Sequence, residues 1–208
     1  NTFAGIRFLY IADGHHRAAA AVRVFQKRQG DGNSRYFLSV IFPHNQLQIL
    51  PYNRLLKDLN GLAPANLLAQ LERVCSLQEN GSPQPAGQHE LGLYLAGKWY
   101  GLKFRPPLTI SADLREQLDV VLLQKHILKP LFGIDDPRTS DRLSFVGGSR
   151  GAAELEKQVA GGEYACAFSM HPTRVEDLMA IADAGEIMPP KSTWFEPKLR
   201  DAMFCHLI

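Results

Sequence analysis

Residues 8–11, Phe-Leu-Tyr-Ile, form a short apolar run that predicts a strand. After a polar corner the period changes. Ala18, Ala21, Val22 and Phe25 recur at helical spacing, Arg23, Lys27 and Arg28 point elsewhere, and Gly30-Asp31-Gly32-Asn33 stops the helix. Residues 36–42 and 47–50 are again β-like and flank Pro43-His44-Asn45-Gln46, which predicts a hairpin with Leu50-Pro51-Tyr52-Asn53-Arg54 at its exit. A short helical period covers 67–74, and 80–87 is the clearest loop in the chain. Residues 89–95 and 98–104 alternate on either side of Ala96-Gly97 and predict a second hairpin. The longest helix is expected over 112–131, ended near Pro130 and Gly133. A strand over 142–146, a helix over 152–159 and a buried strand over 164–170 follow. A helix over 175–184 is opened by Pro172 or Thr173 and closed by Gly185, and 202–208 reads as a final strand.

Strands and helices interleave, but hairpins break the alternation of a doubly wound sheet. The fold class expected is α+β (mixed α/β), a mixed sheet with two hairpins and flanking helices. The organisation expected is a strand-corner-helix part over 1–79 and an α+β part over 88–208, which could pack as one domain. Because the chain opens on Asn1 and a core-like run follows within a few residues, a fragment or processed chain is expected, whose upstream part would complete fold and site.

Composition narrows the function classes. With 208 residues, 45% hydrophobic and 21% charged, the chain can bury a sizeable core. A net charge of +2 supplies no global basic field, so nucleic acid is not the expected partner and any anion site must come from local clustering. Cys75, Cys166 and Cys205 are odd in number and have no paired spacing, which argues against a disulfide framework or a zinc site and for a reducing, cytoplasmic setting. No apolar run approaches the roughly 18 residues of a membrane span.

Candidate chemistry concentrates at Asp13-Gly14-His15-His16-Arg17. A helix N-terminus carries about half a positive charge, so each cation in its first turn is unfavourable by about 0.3–1 kcal/mol unless an anion is present. The cost becomes binding energy if a phosphate or carboxylate docks on the free N–H groups and the Arg17 guanidinium. Asp13 could cap the helix, hold a metal or fix a histidine tautomer, and Gly14 allows close backbone approach. The alternative is a capped helix with solvated His15, His16 and Arg17. Adjacent helical histidines point about 100° apart, which argues against a shared metal ion.

A second constellation is Met188-Pro189-Pro190-Lys191-Ser192-Thr193-Trp194-Phe195-Glu196-Pro197-Lys198. Its two prolines stiffen the segment ahead of one ammonium and two hydroxyls, a trio suited to phosphate oxygens, although it has no glycine cradle. A Pro-rich surface loop anchored by Trp194 and Phe195 is the alternative. Arg54 could face the same pocket if the hairpin lies beside the corner, but an arginine at a hairpin exit is usually solvated. Residues 147–151, Gly-Gly-Ser-Arg-Gly, make a Gly-rich turn before a helix and so a second candidate anion nest. His126 and His171 read as structural, and nothing marks a cysteine as an activated nucleophile.

These two motifs resemble those of domain-of-unknown-function family 1015, and residues 50–54, 118–120 and 167–173 fit as intermediate landmarks. The resemblance implies an N-terminal half absent here. Relatives carry Thr-His where Tyr52-Asn53 stand, and often Tyr-Glu where Ala18-Ala19 stand, so a catalytic glutamate there would be missing. The corner is also similar to the phosphate-binding corner of the ParB and sulfiredoxin-like superfamily, which includes nucleotide-hydrolysing partition proteins and a free-serine kinase. That likeness implies phosphate binding by Gly14 and Arg17, with Asp13, His15 and His16 as catalytic candidates.

The function expected is therefore phosphate or nucleotide binding, in the form of a small-molecule kinase using ATP or ADP with Mg²⁺. In it Lys191, Ser192 and Thr193 join the phosphate site. The alternatives are a nucleotide-switched regulatory or DNA-associated module and a non-catalytic scaffold.

Overall fold

A computed structural model describes residues 2–198, 200 and 205–207. The chain divides into two compact units, Asn1–Gln48 with Phe195–Ile208, and Ile49–Trp194.

The first unit holds α1 (His15–Lys27) and short 3₁₀ turns at Thr2–Gly5, Gly32–Arg35 and His44–Gln46. No residue of α1 is buried, and Val22 and Phe25 of its apolar stripe are exposed. The strand expected over 8–11 does not form, and Phe8, Leu9 and Ile11 are exposed. Nor does the hairpin over 36–42 and 47–50, since 36–43 has no regular structure. An apolar run becomes a strand only when a neighbour takes its backbone groups, and no described segment pairs with 8–11 or 36–43. Instead β1 (Gln48–Leu50) pairs with β8 (Trp194–Glu196) in a two-stranded sheet. Most of the strand expected over 202–208 lies outside the described residues. Residues 205–207 have no regular structure, and Leu207 O accepts from Asn33 Nδ2 at 3.1 Å.

The second unit is built on β2 (Tyr52–Leu56), β3 (Cys75–Glu79), β4 (Glu90–Leu95), β5 (Lys98–Phe104), β6 (Leu143–Gly147) and β7 (Cys166–Met170). They form an open sheet in the order β3-β5-β4-β7-β2-β6, with every adjacent pair antiparallel. The expected β4–β5 hairpin forms because Ala96 and Gly97 take φ of 50° and 78°, the paired left-handed turn that matches strand twist. Tyr52 to Arg54, expected at a hairpin exit, are the start of β2, which pairs on both sides inside the sheet.

One sheet face carries Leu56, Leu91, Leu93, Leu95, Cys166 and Phe168 and packs against α2 (Pro64–Leu71) and the helical run 119–132. That run comprises α3 (Asp119–Leu123), a π segment Gln124–Leu128 and α4 (Lys129–Phe132), closed by Gly133 in the left-handed region. The other face carries Leu55, Val146 and Ala167 and packs against Leu155 of α5 (Gly151–Ala160). The last helix, α6 (Val175–Asp183), begins after Arg174 rather than at Pro172 or Thr173, because the Thr173 hydroxyl donates to Ser192 O at 3.1 Å and is not used as a cap. No helix among the described residues is long and apolar enough to cross a membrane.

Candidate functional site

In the first unit the corner is shaped by Gly14. It occupies the N-cap position of α1 with φ 92° and ψ 25°, a left-handed conformation that glycine adopts without steric cost. The Asp13 carboxylate accepts from Gly14 N at 2.7 Å and makes no cap bond to the helix, so it precedes the cap rather than being it. The first intrahelical bond runs from Ala18 N to Gly14 O at 2.9 Å, which leaves the amides of His15, His16 and Arg17 ahead of the ladder. No acidic residue enters the first turn.

The Arg17 guanidinium folds back over the corner. A Cβ added at Gly14 would stand 3.2 Å from Arg17 Nε and Nη2. His15 and His16 are exposed beside it. The tail of the second motif also arrives here, with Lys198 Nζ 3.7 Å from Asp13 Oδ2. Both side chains are about two-fifths exposed, so the pair contributes little to stability, about 0–1 kcal/mol. What it adds is local charge. Lys198 adds a cation beside the Asp13 carboxylate, at a corner whose helix start already carries His15, His16 and Arg17.

The second unit holds Lys191, Ser192 and Thr193, together with Arg54. The Arg54 side chain was expected to be solvated, yet it is only 4% exposed. Its strand lies inside the sheet, between β7 and β6, and the side chain lies over the Phe145 ring with Cζ 5.0 Å from the centroid. Nη1 donates to Tyr52 O and Nη2 to Lys191 O, the latter at 3.1 Å. Burial pushes the guanidinium down to about 10, with a smaller opposing electrostatic effect of the neighbouring Tyr52 phenol. That fall corresponds to about 3 kcal/mol against the charged form.

Lys191 has φ +58°, and its ammonium lies 5.1 Å from the Tyr52 ring centroid and 5.8 Å from that of Phe145. Ser192 is buried, and its hydroxyl donates to Pro189 O at 2.6 Å, so as placed its proton holds the loop. Thr193 is half-buried. Gly147, at the end of β6, lies so close to Trp194 that a Cβ there would meet the indole at 2.5 Å.

Sequence reasoning also missed His89. It takes φ 67°, and both its N–H and its Nδ1 approach Asp119 Oδ1, at 2.8 and 3.1 Å. Burial raises the Asp119 carboxyl, against the pull of His89 and, more weakly, His171. No spacing signal links residues 30 apart, although a histidine at the start of an alternating strand was visible. Burial likewise lifts the Cys75 thiol to about 12 and pushes the Cys166 thiol up. Among the described residues no group of three or more His, Cys, Asp or Glu could hold a metal ion.

The family model described as protein of unknown function, DUF1015, matches residues 1–121, more than half of the chain. The chain belongs to this family. The matched part contains the Asp13 to Arg17 corner and Arg54, whereas Lys191 to Lys198 lie beyond it. No curated protein matches. Among solved structures, a free serine kinase variant in complex with AMP shares 18% identity at a TM-score of 0.49, over 89% of this chain and 66% of that one. A free serine kinase variant in complex with ADP shares 20% at 0.48, over 89% and 66%. A conserved hypothetical protein from Pyrococcus furiosus shares 18% at 0.48, over 89% and 68%. The chain thus spans about 66% of the length of these kinase structures.

Proposed function

We propose that this protein binds a phosphate-bearing small molecule or nucleotide at the α1 corner and serves as a small-molecule phosphotransferase. The observation that carries the reading is the Arg17 guanidinium turned back over Gly14, at a helix start with no acidic residue in its first turn. A phosphate placed there receives the amides of His15, His16 and Arg17 and the guanidinium together, and it reverses the sign of the dipole cost.

In this reading Arg17 and the corner amides hold the phosphate, and His15 or His16 orients it or moves a proton. Asp13 acts as base or as a single carboxylate toward Mg²⁺, an ion that commonly takes its other ligands from phosphate and water. Lys191, Ser192 and Thr193 belong to the second unit and take no part in this reading.

Calorimetric titration of ATP, ADP, CTP and inorganic phosphate into the wild type and Arg17→Ala tests the reading. Saturable binding that Arg17→Ala weakens at least tenfold supports it. Binding of none of the four, or equal binding by both proteins, refutes it.

A further inference from the structure

In the second unit, Arg142 is answered by Asp58, Arg174 by Asp177 and Arg138 by Asp136. Arg54 and Lys191 differ. Their contacts among the described residues are backbone carbonyls and aromatic rings, with no carboxylate in ion-pair reach. Both lie within 6 Å of the same Phe145 centroid. Two cations on one aromatic platform repel each other, and the buried one has also lost its water.

We infer that Arg54 and Lys191 form an oxyanion site within the second unit, and that its ligand is the doubly charged phosphate group of a small molecule. Charge matching selects the dianion, because a lone carboxylate leaves one of the two cations unanswered. Arg54 spends two of its five N–H donors on carbonyls and keeps the rest of its fork. Lys191 is exposed, which gives a ligand access.

The loop that carries Lys191 is fixed before any ligand arrives. Arg54 holds Lys191 O, Ser192 holds Pro189 O, and Thr173 holds Ser192 O. Those three bonds keep Lys191 in its left-handed backbone and spare a ligand most of the ordering cost. The inference extends phosphate binding to Arg54, which the corner reading does not use, and its geometry stands without the corner.

Trp194, whose ring centroid lies 5.3 Å from that of Tyr52, provides a reporter. Of the two tryptophans only Trp99 competes with it, so Trp99→Phe in the full chain isolates the signal. Inorganic phosphate is titrated, then acetate. The expected result is a saturable Trp194 response to phosphate, weakened at least tenfold by Lys191→Met and by Arg54→Met, unchanged by Arg17→Ala, and far weaker with acetate. No saturable response, or a Lys191→Met titration equal to its parent, overturns the inference, and so does acetate binding as tightly as phosphate. If Arg54→Met does not fold, Lys191→Met decides. A response lost in Arg17→Ala but kept in Lys191→Met overturns this site and leaves the corner standing. Loss in Lys191→Met alone does the reverse if calorimetry also finds Arg17→Ala binding phosphate as the wild type does.

Discussion

Replacing Gly14 by alanine separates the backbone's part in the corner from the charge's part. At φ 92° an alanine pays the left-handed penalty, about 1–2 kcal/mol. Its Cβ also comes to 3.2 Å from Arg17 Nε and Nη2, tighter than ordinary contact. The second effect is the smaller, because the far end of a flexible side chain can swing away by a few tenths of an ångström. The backbone penalty therefore sets the stability change, and the swing of Arg17 sets the binding change. Since no residue of α1 is buried, little packing opposes local relief, and the first turn should unwind before the second unit responds. The expected outcome is phosphate affinity reduced about tenfold, equivalent to about 1.4 kcal/mol. The main thermal transition, carried by the six-stranded core, should not move. Gly14→Asn should lose less, because asparagine tolerates this backbone region better. The assay is phosphate calorimetry paired with amide NMR of residues 15–18. If Gly14→Ala binds phosphate as the wild type does while its α1 amide shifts are unchanged, the corner geometry is not what holds the anion.

Three further outcomes follow from the second unit. Ser169 is 4% exposed and its hydroxyl has no partner among the described residues, so Ser169→Ala should stabilise the unit by about 1 kcal/mol in urea unfolding, and a loss of stability would contradict this. Phe168 is fully buried and meets Phe132 edge-on at 6.0 Å, so Phe168→Ala should cost about 3–5 kcal/mol in the same assay. Burial raises the Asp119 carboxyl above its usual 3.8, so the folded state keeps that proton longer than the unfolded one. Its contribution is greatest at acid pH and declines as pH rises through the raised value. Asp119→Asn should remove that decline, so its stability relative to wild type should rise between acid and neutral pH. A flat difference would contradict the sign.

How much could be read in advance depended on whether local sequence or distant pairing decided each element. The β4–β5 hairpin was legible because Ala96-Gly97 and the alternation on both sides point the same way. The corner was legible because Gly14 and the start of α1 are set by neighbouring residues. The apolar runs at 8–11 and 36–42 misled, since a strand needs a partner that local pattern does not supply. β2 was concealed for the opposite reason. Pro51, Asn53 and Arg54 read as an exit, yet Asn53 is buried with its side chain accepting from Met170 N at 3.0 Å, and Arg54 is buried on the Phe145 ring. The approach of His89 to Asp119 and the left-handed turn at Lys191 depend on packing across the sheet and left no local trace.

The central claim is that the N-terminus of α1 is an anion site. Titrating inorganic phosphate into the labelled protein and following every assigned backbone amide by NMR tests it most directly. The account predicts saturable shifts that are largest at His15, His16 and Arg17 and that vanish in Arg17→Ala. Amides at these three residues that stay still while phosphate binds elsewhere, or does not bind at all, would contradict it.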